Sequence, residues 1–176
     1  KDTDRPSVVS VSYAWNEDRQ CRGLPGAVNC SHTDNAGYIN RTNVEFQKLG
    51  LLGTTVLVAS GDSGAHGRTD ETCLLKPRMH PDFPAASPFV TTVGGTQFSG
   101  SVTTSTDAPI CKEAQARPCA GDGHEVVASN DRSVKTPSER ARIVSGGGFS
   151  NYSPRPDYQR DAVSAYLKQH TDAVPS

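Results

Sequence analysis

Two uninterrupted runs rich in β-branched residues, Ser7 to Tyr13 (SVVSVSY) and Thr54 to Ser60 (TTVLVAS), stand on either side of one helical stretch. This order constrains the fold more than any other feature. Each run reads as a buried strand. Between them, from about Gly37 to Leu49, Ile39, Phe46 and Leu49 fall at helical spacing. Asp34 and Asn35 are its cap candidates, and Gly50 or Gly53 marks its exit. Strand, helix, strand is a βαβ crossover and calls for a parallel sheet. A third strand is expected at Phe89 to Val93, introduced by Phe83-Pro84-Ala85-Ala86-Ser87-Pro88 and closed by Gly94-Gly95. A last amphipathic helix, Asp157 to His170, places Val163, Tyr166 and Leu167 on one face. The expected class is α/β, a parallel sheet flanked by helices.

The 176 residues amount to one domain's worth of chain. Residues 97 to 140 are polar throughout and are expected to form a disordered or loop-rich insertion with room for one hairpin. No apolar run approaches the ~20 residues that span a bilayer. The net charge is -1 and no long block of one sign occurs. No nucleic-acid or membrane partner is therefore expected. The chain opens at Lys1 with neither Met nor a signal peptide, so it is expected to begin mid-chain.

Five cysteines occur without a CxxC spacing, which disfavours a zinc or thioredoxin-type site. Cys21 and Cys30 flank one short loop and Cys111 and Cys119 another. Both pairs read as local disulfides, which implies an oxidising compartment. Cys73 is left over, either as a free thiol or with a partner outside the chain. Asn29, Asn40 and Asn151 each begin a glycosylation triplet and agree with secretion. His66 and His80 flank an irregular segment without acidic or Cys ligands at useful spacing, so they read as solvated loop residues and no metal site is expected.

The chemistry centres on Val56-Leu57-Val58-Ala59-Ser60-Gly61-Asp62-Ser63-Gly64. Asp62 is expected at the lip of the second strand, half in water and half against low-dielectric core, where a carboxyl group's proton affinity rises. Kept neutral, it can donate a hydrogen bond to a developing oxyanion. Gly61-Asp62-Ser63-Gly64 also surrounds the nucleophile of chymotrypsin-like proteases. Against that reading, the strands here alternate with a helix, the only earlier histidine is His32, and Ala65-His66 follows the tetrapeptide.

Four motifs taken together resemble the sedolisins, or serine-carboxyl peptidases, most of all their lysosomal tripeptidyl-peptidase branch. They are Val8 to Tyr13, Ala59 to Ala65, Phe83 to Thr96, and Ser145 to Asn151 followed by Pro154 to Gln159. They occur in family order. The likeness covers most of the chain outside residues 17–36 and 97–140. It implies a subtilisin-like fold and acid-active hydrolysis of peptide bonds. In that family a Ser attacks, a Glu takes its proton, an Asp supports the Glu, and a second Asp completes the oxyanion hole. The last role falls on Asp62. Ser12, Tyr13 and Ala14 are implied as the edge on which a peptide lies, although the family carries Gly where this chain has Ala14. Tyr13 stands where relatives place an aromatic near the acid-base network. Ser60, Gly61 and Ser63 would line the first specificity pocket. Gly146 and Gly147 would serve close backbone approach or a tight bend.

The family's Glu-x-x-x-Asp pair lies upstream of the first strand and its nucleophile lies in a downstream Ser-Gly-Thr-Ser string. Neither occurs here. Residues 1–176 therefore read as one incomplete catalytic domain, unable to cleave peptides when isolated. Its implied partners are a peptide or protein substrate and the remaining N- and C-terminal parts of the domain. No cofactor is expected within the chain, and calcium is implied for the full-length parent. The implied setting is secreted, lysosomal or acidic-vacuolar. The alternatives are a non-catalytic peptide-binding module of the same fold, and a chymotrypsin-like hydrolase using Ser63. An Asp62 locked to an arginine would remove the chemical basis of the peptidase reading.

Overall fold

The computed structural model describes residues 4–21, 30, 32–68, 79–98, 125–129 and 143–170. In chain order its elements are β1 (Val8–Val11), β2 (Trp15–Asn16), α1 (Asn35–Leu51), β3 (Thr55–Ala59) and β4 (Asp82–Phe83). They are followed by β5 (Thr91–Val93), β6 (Thr96–Phe98), β7 (Glu125–Val127) and α2 (Arg160–Gln169). The crossover forms as its residue pattern demands. β1 pairs parallel with β3, Val9 opposite Val56 and Val11 opposite Val58, and β3 pairs parallel with β5. The sheet order is β1-β3-β5, so β3 is central.

The α1 helix starts where Asp34 turns out of extended backbone and its carboxylate accepts the Gly37 N–H at 2.8 Å. That bond satisfies one of the donors a helix start leaves open. The helix ends as the Leu52 N–H folds back on the carbonyls of Lys48 and Leu49, and Gly53, at φ 81°, carries the chain into β3. Ile39 of α1 and Val56 and Val58 of β3 are buried, together with Phe83 of β4. The Phe83 ring is met by those of Tyr38 and Phe46 at centroid distances of 6.2 and 6.4 Å.

Several expectations need correction. The first strand is shorter than Ser7 to Tyr13, and Ser12 to Ala14 lie beyond its ladder. The third strand begins at Thr91 rather than Phe89. The sheet is not buried throughout: Val8 on β1 and Val93 on β5 are more than half exposed. Both belong to outer strands, whereas the buried valines belong to the central one. Within the stretch read as an insertion from residue 17, Glu17 begins a short 3-10 turn, which the two-residue ladder of β2 on β4 positions. β6, at the start of the polar 97–140 stretch, pairs antiparallel with β7 within it. In α2, Val163 and Leu167 are half-buried, but Tyr166 is exposed and stacks against His170 and the edge of Phe149.

Cys21 and Cys30 form the expected disulfide. Cys73, Cys111, Cys119 and Asn29 lie outside the described residues. Asn151, which begins the third triplet, donates its Nδ2 to Glu17 at 3.2 Å.

Candidate functional site

Beyond Ala59 the central strand gives way to Ser60-Gly61-Asp62-Ser63-Gly64. Ser60 is buried and its N–H still bonds the Val93 carbonyl at 3.0 Å. Gly61 then adopts φ 103°, a conformation that L side chains rarely accept. The returning segment Val144 to Gly146 runs alongside. The Val144 N–H donates to the Asp62 carbonyl, the Gly146 N–H to the Gly61 carbonyl, and the Gly64 N–H to the Val144 carbonyl. The approach is close enough that a Cβ on Gly146 would fall 1.9 Å from the Ser60 carbonyl oxygen. Only glycine fits there.

A cavity of about 380 Å³ opens past the ends of β1 and β3, and Ser12, Ser60, Gly61 and Asp62 all line it. A second, of about 350 Å³, is lined by Ser60, Asp82, Gly146 and Gly147 among others. Ser60 is common to both. Tyr13, Ala14 and Ser63 line neither: Tyr13 is exposed, and Ala14 and Ser63 are half-buried. Ser63 forms a backbone bridge to Val144, and His66 bonds its Nδ1 to the Gly67 carbonyl oxygen. No Ser63–His hydrogen bond occurs among the described residues. The α/β sheet and this arrangement set aside the chymotrypsin-like reading.

The Asp62 side chain is 54% exposed, about half in water, and its Oδ2 lies 3.8 Å from Nη2 of Arg68. Arg68 in turn lies over the Trp15 ring, 5.9 Å from its centroid. The buried carboxyl at this end of the sheet belongs to Asp82 instead. It is 6% exposed, its Oδ1 has no hydrogen-bond partner among the described residues, and its Oδ2 lies against Gly61. Burial pushes its pKa above the ordinary value, with Arg68 pulling it down and Asp62 pushing it up.

A second buried acid is Glu17, 1% exposed. It receives donors from Ser150 and Asn151, and its pKa is raised by burial, against those hydrogen bonds and with a push from Asp18. Reading from sequence missed both acids. The signals present were slight: Asp82 immediately precedes the Phe83-Pro84 motif, and Glu17 follows Trp15 by two residues.

His80 is no solvated loop residue. Its side chain is mostly buried and its Nδ1 lies 3.2 Å from Asp18 Oδ2. Among the described residues no group of three or more His, Cys, Asp or Glu is placed to hold a metal ion. No helix among them is long and apolar enough to cross a membrane.

No protein-family model matches the chain. It is 41% identical over 176 residues to physarolisin of Physarum polycephalum, which covers 97% of this chain and 28% of that protein. It is 34% identical over 174 residues to tripeptidyl-peptidase 1 of Canis lupus familiaris, over 97% of this chain and 22% of that one. Among solved structures, the fold matches a Pseudomonas sedolisin, a serine-carboxyl proteinase complexed with two molecules of pseudo-iodotyrostatin. The TM-score is 0.54 and the identity 21%, over 96% of this chain and 34% of that one. The chain thus spans between about a fifth and a third of the proteins it matches.

Proposed function

The chain belongs to the sedolisin family of serine-carboxyl peptidases, and from that premise we propose that it builds one wall of an acid-active peptide-cleaving site. The observation that carries this reading is the single cavity lined together by Ser12, Ser60, Gly61 and Asp62. Ligands of open parallel sheets settle in the crevice outside the carboxyl ends of the strands, where this cavity lies.

Asp62 takes the oxyanion role. Attack on a scissile carbonyl puts negative charge on its oxygen, which an ionised carboxylate repels and a protonated one stabilises by donating its hydrogen. Such a site works in acid. The contact with Arg68 does not lock the carboxyl. An ion pair this long between half-exposed groups contributes about 0–1 kcal/mol, an amount a bound substrate can displace.

The substrate backbone lies along Ser12 to Ala14 as an added strand. Ser60 and Gly61 leave room for its side chain, and Gly146 and Gly147 line the neighbouring cavity that shares Ser60. The attacking serine, its Glu/Asp pair and any calcium belong to other parts of the complete protein. A secreted or lysosomal setting agrees with the Cys21–Cys30 disulfide.

The test is Asp62→Asn in the complete protein. Peptide cleavage at acid pH should fall by roughly two to three powers of ten, the usual loss of one oxyanion donor. An unchanged rate removes Asp62 from the mechanism. A wild-type protein that binds peptides without cleaving them would make this fold a binding module.

A further inference from the structure

Glu17 has no part in the chemistry above, yet it is among the most buried side chains described. It sits at the start of the 3-10 turn after β2, with its backbone N–H bonded to the Pro81 carbonyl at 3.0 Å. Its carboxylate reaches a segment more than 130 residues away in sequence. Oε2 accepts from Ser150 Oγ at 2.8 Å, while Oε1 accepts both the Asn151 N–H and, at 3.2 Å, Asn151 Nδ2.

The Ser150 hydroxyl settles which group donates. A hydroxyl has one hydrogen and two lone pairs. Both lone pairs already receive N–H groups, from Tyr152 at 3.1 Å and Ser153 at 2.8 Å. Its hydrogen must therefore go to Glu17, and Oε2 must be an acceptor. Oε1, facing two donors, must be an acceptor too. A carboxylate meets all three contacts as an acceptor, and a glutamine of the same shape brings an NH₂ to one of them.

The segment so held continues from the glycines of the site. Gly146 is bonded to Gly61, Gly148 has φ 120° and packs on Met79 and Pro81, and Ser150 lines the same cavity as Gly146, Gly147 and Asp82. Glycines place no side-chain restraint on such a loop, so its position depends on anchors at its ends. One anchor is the Gly61 carbonyl. The other is Glu17, four residues after the Tyr13 edge.

We propose that Glu17 is a positioning residue: its carboxylate clamps Ser150 and Asn151 and thereby fixes the position of the Gly146–Ser150 wall beside Ser60 and Gly61 of the substrate site. This rests on the peptidase reading for its consequence, but the clamp itself can be tested without it.

In the complete protein, Glu17→Gln should speed amide hydrogen exchange at residues 146–153 about tenfold or more, the effect of one lost hydrogen bond to a charged group. Exchange in α1 and β3 should not change. For peptide hydrolysis, KM should rise by a similar factor with kcat within about twofold, because the wall binds and does not react. Ser150→Ala, which removes one donor and leaves the acid, should do the same more weakly, and it decides the matter if Glu17→Gln does not fold. Unchanged exchange at 146–153 in the variants, or a lost yield of active protein at constant KM, overturns the proposal. If the wild type cleaves no peptide, the proposed function fails, and hydrogen exchange alone still decides the clamp.

Discussion

The carboxyl of Asp82 occupies the space that a side chain on Gly61 would need: a Cβ placed there would lie 2.3 Å from Oδ2. One residue's lack of a side chain thus creates the buried seat of another's charge, next to the strand end that carries Asp62. Gly61→Ala is accordingly expected to destabilise the protein by more than the ~1–2 kcal/mol that a left-handed φ alone costs a non-glycine residue. Urea denaturation measures it. In an Asp82→Ala background the loss should shrink towards the backbone cost, and strict additivity of the two changes would show that they do not meet.

Asp82 makes stability depend on pH in a definite sense. Burial raises its folded pKa above the ordinary aspartate value of 3.8. Between the two values the folded chain holds a proton that the unfolded chain has released. Its contribution is then fully present below the unfolded pKa and is lost as pH rises through the folded one. Asp82→Asn should raise the denaturation midpoint at neutral pH, with the advantage shrinking as the pH falls towards 4. A constant difference between variant and wild type across that range would contradict this.

Arg68 holds the Asp82 pKa down while burial holds it up. Removing that charge with Arg68→Gln should move the Asp82 titration upward when followed by carboxyl-carbon NMR. The same measurement shows whether the pairing matters: an unmoved midpoint would mean that solvent screens the guanidinium completely.

Asn43, buried on α1, joins three parts of the chain. Its Oδ1 accepts from Ser87 Oγ at 2.6 Å and its Nδ2 donates to Ser153 Oγ at 3.2 Å. Asn43→Ala should cost about 1–3 kcal/mol, since it takes away the acceptor of the buried Ser87 hydroxyl's hydrogen. Adding Ser87→Ala should then cost less than it does in the wild type. Independent losses in the double mutant would show that the pair is not coupled.

The crossover was legible because its signal is local. Val8 to Val11 and Val56 to Ala59 carry strand preference in their own side chains, and Asp34 caps α1 by a bond three residues long. The Cys21–Cys30 disulfide closes a short loop, and Asp62 follows directly from where β3 must stop. None of this needs distant parts of the chain.

Burial and charge environment were decided only by the tertiary structure. Asp62 is half in water but stands beside Arg68, and Asp82 and Glu17 are the acids removed from solvent. A carboxyl's surroundings are built by segments far away in sequence: Gly61 opens the seat of Asp82, and Ser150 and Asn151 close over Glu17. Periodicity along the chain specifies which side chains seek the interior, but the packing of remote segments determines which polar group is enclosed with them.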